Sequence, residues 1–249
     1  MASIRPSRPG EDDAAIHPLF LHHWDEPWTL QQFQERRQRW AHRASSEFVA
    51  EEGGQMVGWI EGTASLDPKH FWVRLAVDPA FRRRGIGSAL LRALVDARPE
   101  ADRFSLDYRE DNEAAARFVA DRGFERKNHV FESVLDLKAF DPSSWQEPVD
   151  RLRATGLRIA TMAELGDDES ARYRFWDLEH TTDHDIPGVD PTLLIDWNDA
   201  QKIVFGSSYY DPAGEFVAMD GETFVSLSGV GELSPGRFYN QHTCTHRDY

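Results

Sequence analysis

Phe71-Trp-Val-Arg-Leu-Ala-Val77, Asp78-Pro79, Arg82-Arg-Arg-Gly-Ile-Gly87 and Ser88-Ala-Leu-Leu-Arg-Ala-Leu-Val95 follow one another along the chain and decide how it is read. Phe71, Val73, Leu75 and Val77 alternate with Trp72, Arg74 and Ala76, the period of a strand with a buried face. Asp78-Pro79 closes that strand, since proline lacks an N–H and restricts the residue before it. Ile86, Ala89, Leu90, Ala93, Leu94 and Ala97 then recur at helical spacing up to Pro99. Gly85 and Gly87 stand at the helix entrance, where the backbone can approach a ligand and the unpaired amides of roughly residues 83 to 88 can face phosphate oxygens. Arg82, Arg83 and Arg84 add local positive charge to a chain of net charge -15. The plain alternative is a solvated basic turn capping a core helix.

Other phosphate signatures fail. There is no GxxxxGK[ST], and Gly85-Ile-Gly87 continues as Ser-Ala-Leu, without the third glycine of a dinucleotide loop. A diphosphate held mainly by backbone amides fits best.

Val77 to Leu90 closely resembles the acyl-CoA motif of the GCN5-related N-acetyltransferases (GNAT), [RQ]xxGx[GA], here Arg82, Gly85 and Gly87. Asn112-Glu-Ala-Ala-Ala-Arg-Phe-Val-Ala-Asp-Arg-Gly-Phe124 resembles the family's next motif, and a strand-like Arg103-Phe-Ser-Leu-Asp-Tyr108 joins the two. The resemblance implies an α/β fold, a mixed central sheet flanked by helices. It also implies acetyl-CoA as acyl donor, with its pyrophosphate on the amides of Arg83, Arg84, Gly85, Ile86, Gly87 and Ser88. Its pantetheine arm would lie along Leu75, Ala76 and Val77, with Asn112 nearby. Read from the residues alone, Asn112 is a helix N-cap and Gly123 a helix end.

The implied activity is transfer of an acetyl or small acyl group to a primary amine of a small molecule by direct attack on the thioester. In many members a tyrosine follows the apolar residue of the second helix and protonates the departing thiolate. Here Val119 follows Phe118 and has no proton to give. Tyr108 is a candidate replacement or else a half-buried strand aromatic. Glu61, closing the strand from Gln55, and Asp107 are candidate bases, each with a structural alternative. The missing tyrosine also motivates a second reading, a non-catalytic acyl-CoA sensor or scaffold. His17, His22, His23, Trp24 and Asp25 fall where the family builds acceptor-binding helices, but they lack a regular ligand spacing, so no metal is expected.

The chain also repeats itself. Glu47-Phe-Val-Ala50 recurs as Glu215-Phe-Val-Ala218, followed by Met56 to Trp59 and Thr223 to Ser226 respectively, and a shift of 168 residues places Asp78 to Phe81 on His246 to Tyr249. The expectation is a tandem arrangement: a complete module over 1–138, closed by a strand from Val130 to Leu137, a polar turn-rich linker over 139–154, and a partial second module over 155–249. In the second module, helices are expected from Asp168 to His180 and from Pro191 to Ala200, a loop over Thr182 to Gly188, and a strand from Tyr239 to Thr245. The last residues stop where a second RxxGxG turn would stand, so the second module is expected to be cut short or to lack its CoA loop.

The hydrophobic fraction of 40% supports real cores in 249 residues. No apolar run is long enough to cross a membrane and the first ten residues do not read as a signal peptide. One cysteine, Cys244, cannot form an internal disulfide, and a cytoplasmic protein is expected. The acidic balance speaks against duplex nucleic acid or an anionic membrane as partner and is compatible with an amine. Intrachain packing of two modules would replace the dimer contact of single-module members, so a monomer is expected.

Overall fold

The computed structural model describes residues 2–23, 28–131, 133–186, 194–207 and 210–249. The chain separates into two compact units, one comprising Met1–Phe124 and Thr192–Leu194, the other Glu125–Pro191 and Ile195–Tyr249.

Unit one is a five-stranded sheet in the order β1 (Ser3–Pro6), β2 (Ser45–Glu52), β3 (Gln55–Ala64), β4 (His70–Val77) and β5 (Arg103–Ser105). Neighbours are antiparallel except β4 and β5, which are parallel, so the sheet is mixed. Alternation sorts the strand side chains between two cores. On one face α1 (Asp13–Phe20) and α2 (Leu30–Trp40) bury Ile16, Phe20 and Phe33 against Val49, Trp59 and Ala76. On the other, α3 (Ile86–Asp96) lays Ile86, Leu90 and Leu94 over Ala50, Ile60 and Val73. A capping box between Thr29 and Gln32 starts α2. α4 (Glu113–Ala120) begins at Asn112, whose side chain accepts from the Ala115 amide at 3.0 Å.

Unit two is an antiparallel sheet of β6 (Arg158–Thr161), β7 (Glu215–Asp220), β8 (Thr223–Ser234) and β9 (Arg237–Thr245), in that order. Its main helices are α6 (Glu169–Asp183) and α7 (Trp197–Ile203), which follow α5 (Gln146–Ala154). Phe175 and Leu178 of α6 pack with Ala200 of α7 on Val217, Met219 and Leu227.

The 168-residue echo is a repeat of backbone hydrogen bonds. β2 and β3 shift register between Ala50 and Glu51, and β7 and β8 between Ala218 and Met219. Gly58 pairs with Val77 as Ser226 pairs with Thr245. The Asp78 amide donates to Val57 O at 2.9 Å and the His246 amide to Val225 O at 2.8 Å. The turns that follow match too, Phe81 N to Asp78 O and Tyr249 N to His246 O.

Several local expectations are corrected. The segment from Val130 to Leu137 forms no strand over its described residues: no neighbouring ladder takes it, and Val130, Phe131 and Val134 are exposed. The expected turn-rich connector contains α5. Pro148 falls in that helix's first turn, where the missing N–H costs no helix bond, and Arg151 bonds Glu147 at 2.9 Å. The strand expected over Arg103–Tyr108 stops at Ser105. α6 runs on to Asp183, with the Thr182 hydroxyl donating back to Leu178 O, so the loop expected from Thr182 starts later; Pro187 and Gly188 lie outside the described residues. The helix expected over Pro191–Ala200 is α7, displaced to Trp197–Ile203 by the N-cap Asp196; residues 191–193 lie outside the described residues.

Leu90 is fully buried between α3 and the sheet. Leu90→Ala is expected to destabilise unit one by about 2–5 kcal/mol, measured as a lower denaturant midpoint with an unchanged slope.

Candidate functional site

Two features of unit one meet at the end of β4. β5 accompanies β4 only from His70 to Trp72, opposite Arg103 to Ser105, and β4 then continues to Val77 without it. Leu106, Asp107 and Tyr108 leave the ladder there. The parallel ladder thus ends before Leu75, Ala76 and Val77, and the chain beyond β5 carries Asp107, Tyr108 and, further on, Asn112.

The turn after β4 is built for close approach. Arg83 has φ 64° and Gly85 φ 82°, two left-handed residues that swing the chain into α3. The first bond of the helix is donated by Ala89 to Gly85 O at 3.0 Å, so the amides of Ile86, Gly87 and Ser88 precede the intrahelical ladder. A Cβ on Gly85 would meet nothing within 4 Å, so the mouth of the turn is open. At Gly87 it would lie 3.1 Å from Phe118 Cε2, which seats α4 against the turn. Arg122 stacks on the Phe118 ring at 3.6 Å and donates to Ser88 Oγ. Arg82 and Arg84 are exposed but tethered to backbone oxygens, Arg82 Nε to Val77 O at 3.0 Å and Arg84 to Ala80 O at 3.1 Å. This cradle of amides, glycines and three exposed arginines fits an anionic diphosphate.

The two candidate bases are electrostatically unlike. Glu61 is buried on the face covered by α1 and α2, with Arg36 Nη2 at 2.9 Å and Arg74 Nη1 at 3.5 Å from its Oε2. Burial works to raise its pKa, but the guanidiniums of Arg36 and Arg74 outweigh it and hold the carboxyl below its ordinary value. Burial lowers the pKa of Arg74 to about 10, with Arg36 acting in the same direction. Asp107 is exposed as a residue, yet the protein around its carboxyl raises its pKa, partly offset by Arg74. Glu61 is thus a clamped counter-ion, whereas Asp107 is a solvent-reached carboxylate of raised basicity.

The sequence reading missed the arginines of α2. Arg37 pairs with Glu47 at 2.9 Å, and Glu47 also accepts from Trp59 Nε1 at 2.7 Å. The signal was present in Thr29-x-x-Gln32 before Phe33, which opens a helix carrying Arg36 and Arg37. Among the other candidates, Tyr108 is 38% exposed beyond β5. His17 bonds Trp28 O at 2.7 Å, while Trp24 and Asp25 lie outside the described residues. Among the described residues no cluster of His, Cys, Asp or Glu could hold a metal, and no helix is long and apolar enough to cross a membrane. Cys244 is a half-buried thiol on β9 whose pKa burial raises.

Removing the clamped carboxylate has a predictable cost. Glu61→Ala leaves Arg36 and Arg74 facing each other and is expected to destabilise unit one by about 3–5 kcal/mol. Since the folded pKa of Glu61 lies below the unfolded value of about 4.3, its contribution is complete above that value and is lost as pH falls through the folded one. Wild type and variant should therefore converge in stability under acid, as read by denaturant midpoints across pH.

Residues 14–124 match the model of the acetyltransferase (GNAT) family. A mycothiol acetyltransferase from Brachybacterium faecium is 30% identical over 163 residues, covering 64% of this chain and 44% of that protein. The GCN5-related glucosamine N-acetyltransferase region of a fungal multi-domain GH3 beta-N-acetylglucosaminidase aligns with 100% of this chain and 32% of its own, at TM-score 0.69 and 13% identity. The chain thus spans less than half the length of either relative. Residues 14–124 form a GNAT-fold acetyltransferase domain, and a second, structurally similar module follows it along the chain.

Proposed function

We propose that the protein is an acyl-CoA-dependent N-acyltransferase whose donor site lies in unit one and whose acceptor is a primary amine of a small molecule. The observation that carries this is the left-handed turn at Arg83 and Gly85, which presents the first-turn amides of α3 beside the stretch of β4 that β5 has left. Acetyl-CoA, when bound, supplies an acyl group activated as a thioester. The amides of Ile86, Gly87 and Ser88 and the arginines of the turn hold the diphosphate. Backbone groups around Leu75 to Val77 orient the arm and the acyl carbonyl. Glucosamine is the first acceptor to test, since one of the proteins of similar fold is named as a glucosamine N-acetyltransferase.

Asp107 is the base of this proposal. A neutral amine is the nucleophile, and a carboxylate of raised pKa accepts its proton more readily than one clamped by two guanidiniums. Glu61 and Arg36 instead position Arg74, whose charge acts on both carboxylates. Tyr108 remains the candidate donor of a proton to the leaving thiolate.

Gly85→Glu forces a side chain onto a left-handed residue at the mouth of the turn and puts a negative charge there, so acetyl-CoA should bind at least about tenfold more weakly, as measured by calorimetry. Asp107→Asn should lower kcat by roughly 10²–10⁴-fold with donor affinity unchanged. The wild-type rate should rise with pH through a midpoint above the ordinary aspartate value, and the variant should lose that limb. Donor binding without turnover of any amine in the intact protein would instead favour the sensor reading, and wild-type rates in Asp107→Asn would remove Asp107 from the mechanism.

A further inference from the structure

Five of the large apolar side chains exposed on this chain fall within one short run. Val130, Phe131, Val134, Leu135 and Leu137 are each between 60% and 85% exposed, and the described residues from 130 to 137 join no ladder. Two valines, a phenylalanine and two leucines so close together suit the surface of a strand. A strand needs an edge to pair with, and apolar side chains left in water at this density mark an interaction surface.

Unit two also holds the edge. β9 is the last strand in the order β6-β7-β8-β9, so among the described residues no further strand pairs with its outer side. A terminal strand offers a row of N–H and C=O groups to any extended chain that meets it. The other terminal strands are too short to serve: β1 has 4 residues, β5 has 3 and β6 has 4, whereas β9 has 9. β9 contains neither proline nor lysine, residues that commonly blunt such edges, and its Phe238 and Tyr239 are exposed.

Charge complements length. Val130 to Leu137 includes Glu132 and Asp136 and no base, while β9 includes Arg237 and His242 and no acid, in a chain of net charge -15. Both halves of the match belong to the same chain, yet they are not paired with each other within it. Reciprocal exchange between two copies pairs both segments and both edges at once, and a two-fold arrangement closes the assembly there.

We propose that Val130 to Leu137 is a docking strand that adds to the outer edge of β9 in a second copy of this chain, and that the exchange is mutual. Backbone hydrogen bonds along β9 hold the added strand, and the carboxylates of the segment face the cationic side chains of the edge. The donor site of unit one takes no part in this contact.

The test is light scattering coupled to size exclusion, run on the 249-residue chain over a series of concentrations. A concentration-dependent passage from 28.5 kDa to twice that mass is expected. In the dimer, hydrogen exchange should slow together at Val130 to Leu137 and at the β9 amides that point away from β8. Val134→Glu alters a side chain that is exposed in the single chain, so its melting temperature at the lowest concentration should match the wild type, while the dissociation constant of the dimer rises at least about tenfold. A synthetic peptide copying His129 to Lys138, added in excess, should convert the dimer into a complex of one chain with one peptide and slow the same β9 amides, a readout that needs no variant. A monomer at every concentration, a dimer that both Val134→Glu and the peptide leave intact, or species that grow beyond two copies would each overturn the proposal.

Discussion

The geometry of unit one hangs on the short life of a single parallel pairing. β4 is held by β3 along its length but by β5 only over His70 to Trp72. Had β5 followed β4 to its end, the backbone at Leu75 to Val77 would have been closed into the sheet. Because it leaves early, that stretch of β4 lies outside the parallel ladder, and the turn that follows leads directly from it into the N-terminus of α3. His70 bonds Ser105 at 2.8 Å and Phe71 packs on Phe104, which pins the short pairing where it is. The proposed donor site combines α3 and the arginine turn with that divergence.

A second constraint is charge balance beneath the sheet. Carboxylates buried on the face of α1 and α2 must be neutralised, and Arg36, Arg37 and Arg74 do this at the cost of locking Glu61. In the proposed mechanism Asp107, beyond the end of β5, is the carboxylate without such a clamp. A buried charge network therefore gives opposite pKa shifts to carboxylates that look alike in a sequence.

Much of this was legible beforehand. The passage from Phe71 to Val95 changes its apolar period from two to helical across a pair of glycines, and both the strand and the helix stand where that change puts them. The echo at 168 residues was visible in four identical residues and proved to be a match of register. What failed had local causes. Val130 to Leu137 has strand-like composition, but a strand exists only with a neighbouring edge, which composition does not report. Pro148 looks like a breaker and is harmless in a first turn. Arg103 to Tyr108 alternates correctly, yet the ladder ends where β4 and β5 part. Glu61 and Asp107 could not be ranked because the guanidiniums that separate them come from α2 and from the neighbouring strand.

The two modules show which properties a repeat must keep and which it can exchange. Strand pairing, the shift after Ala50 or Ala218, and the amide bond that closes each last strand are set by backbone geometry, and a slip of one residue would turn every core side chain outward. Those features are shared. Side chains in the row that pairs across each sheet, Glu47, Glu61 and Arg74 in unit one and Glu215, Gly229 and His242 in unit two, are constrained only to balance one another and their neighbours. Glu61 needs guanidiniums because it has a buried charge; Gly229 has none to balance, and among the described residues the acids of α6 face His242 rather than an arginine. One backbone pattern thus supports a self-neutralised row in unit one and an acid-rich row in unit two.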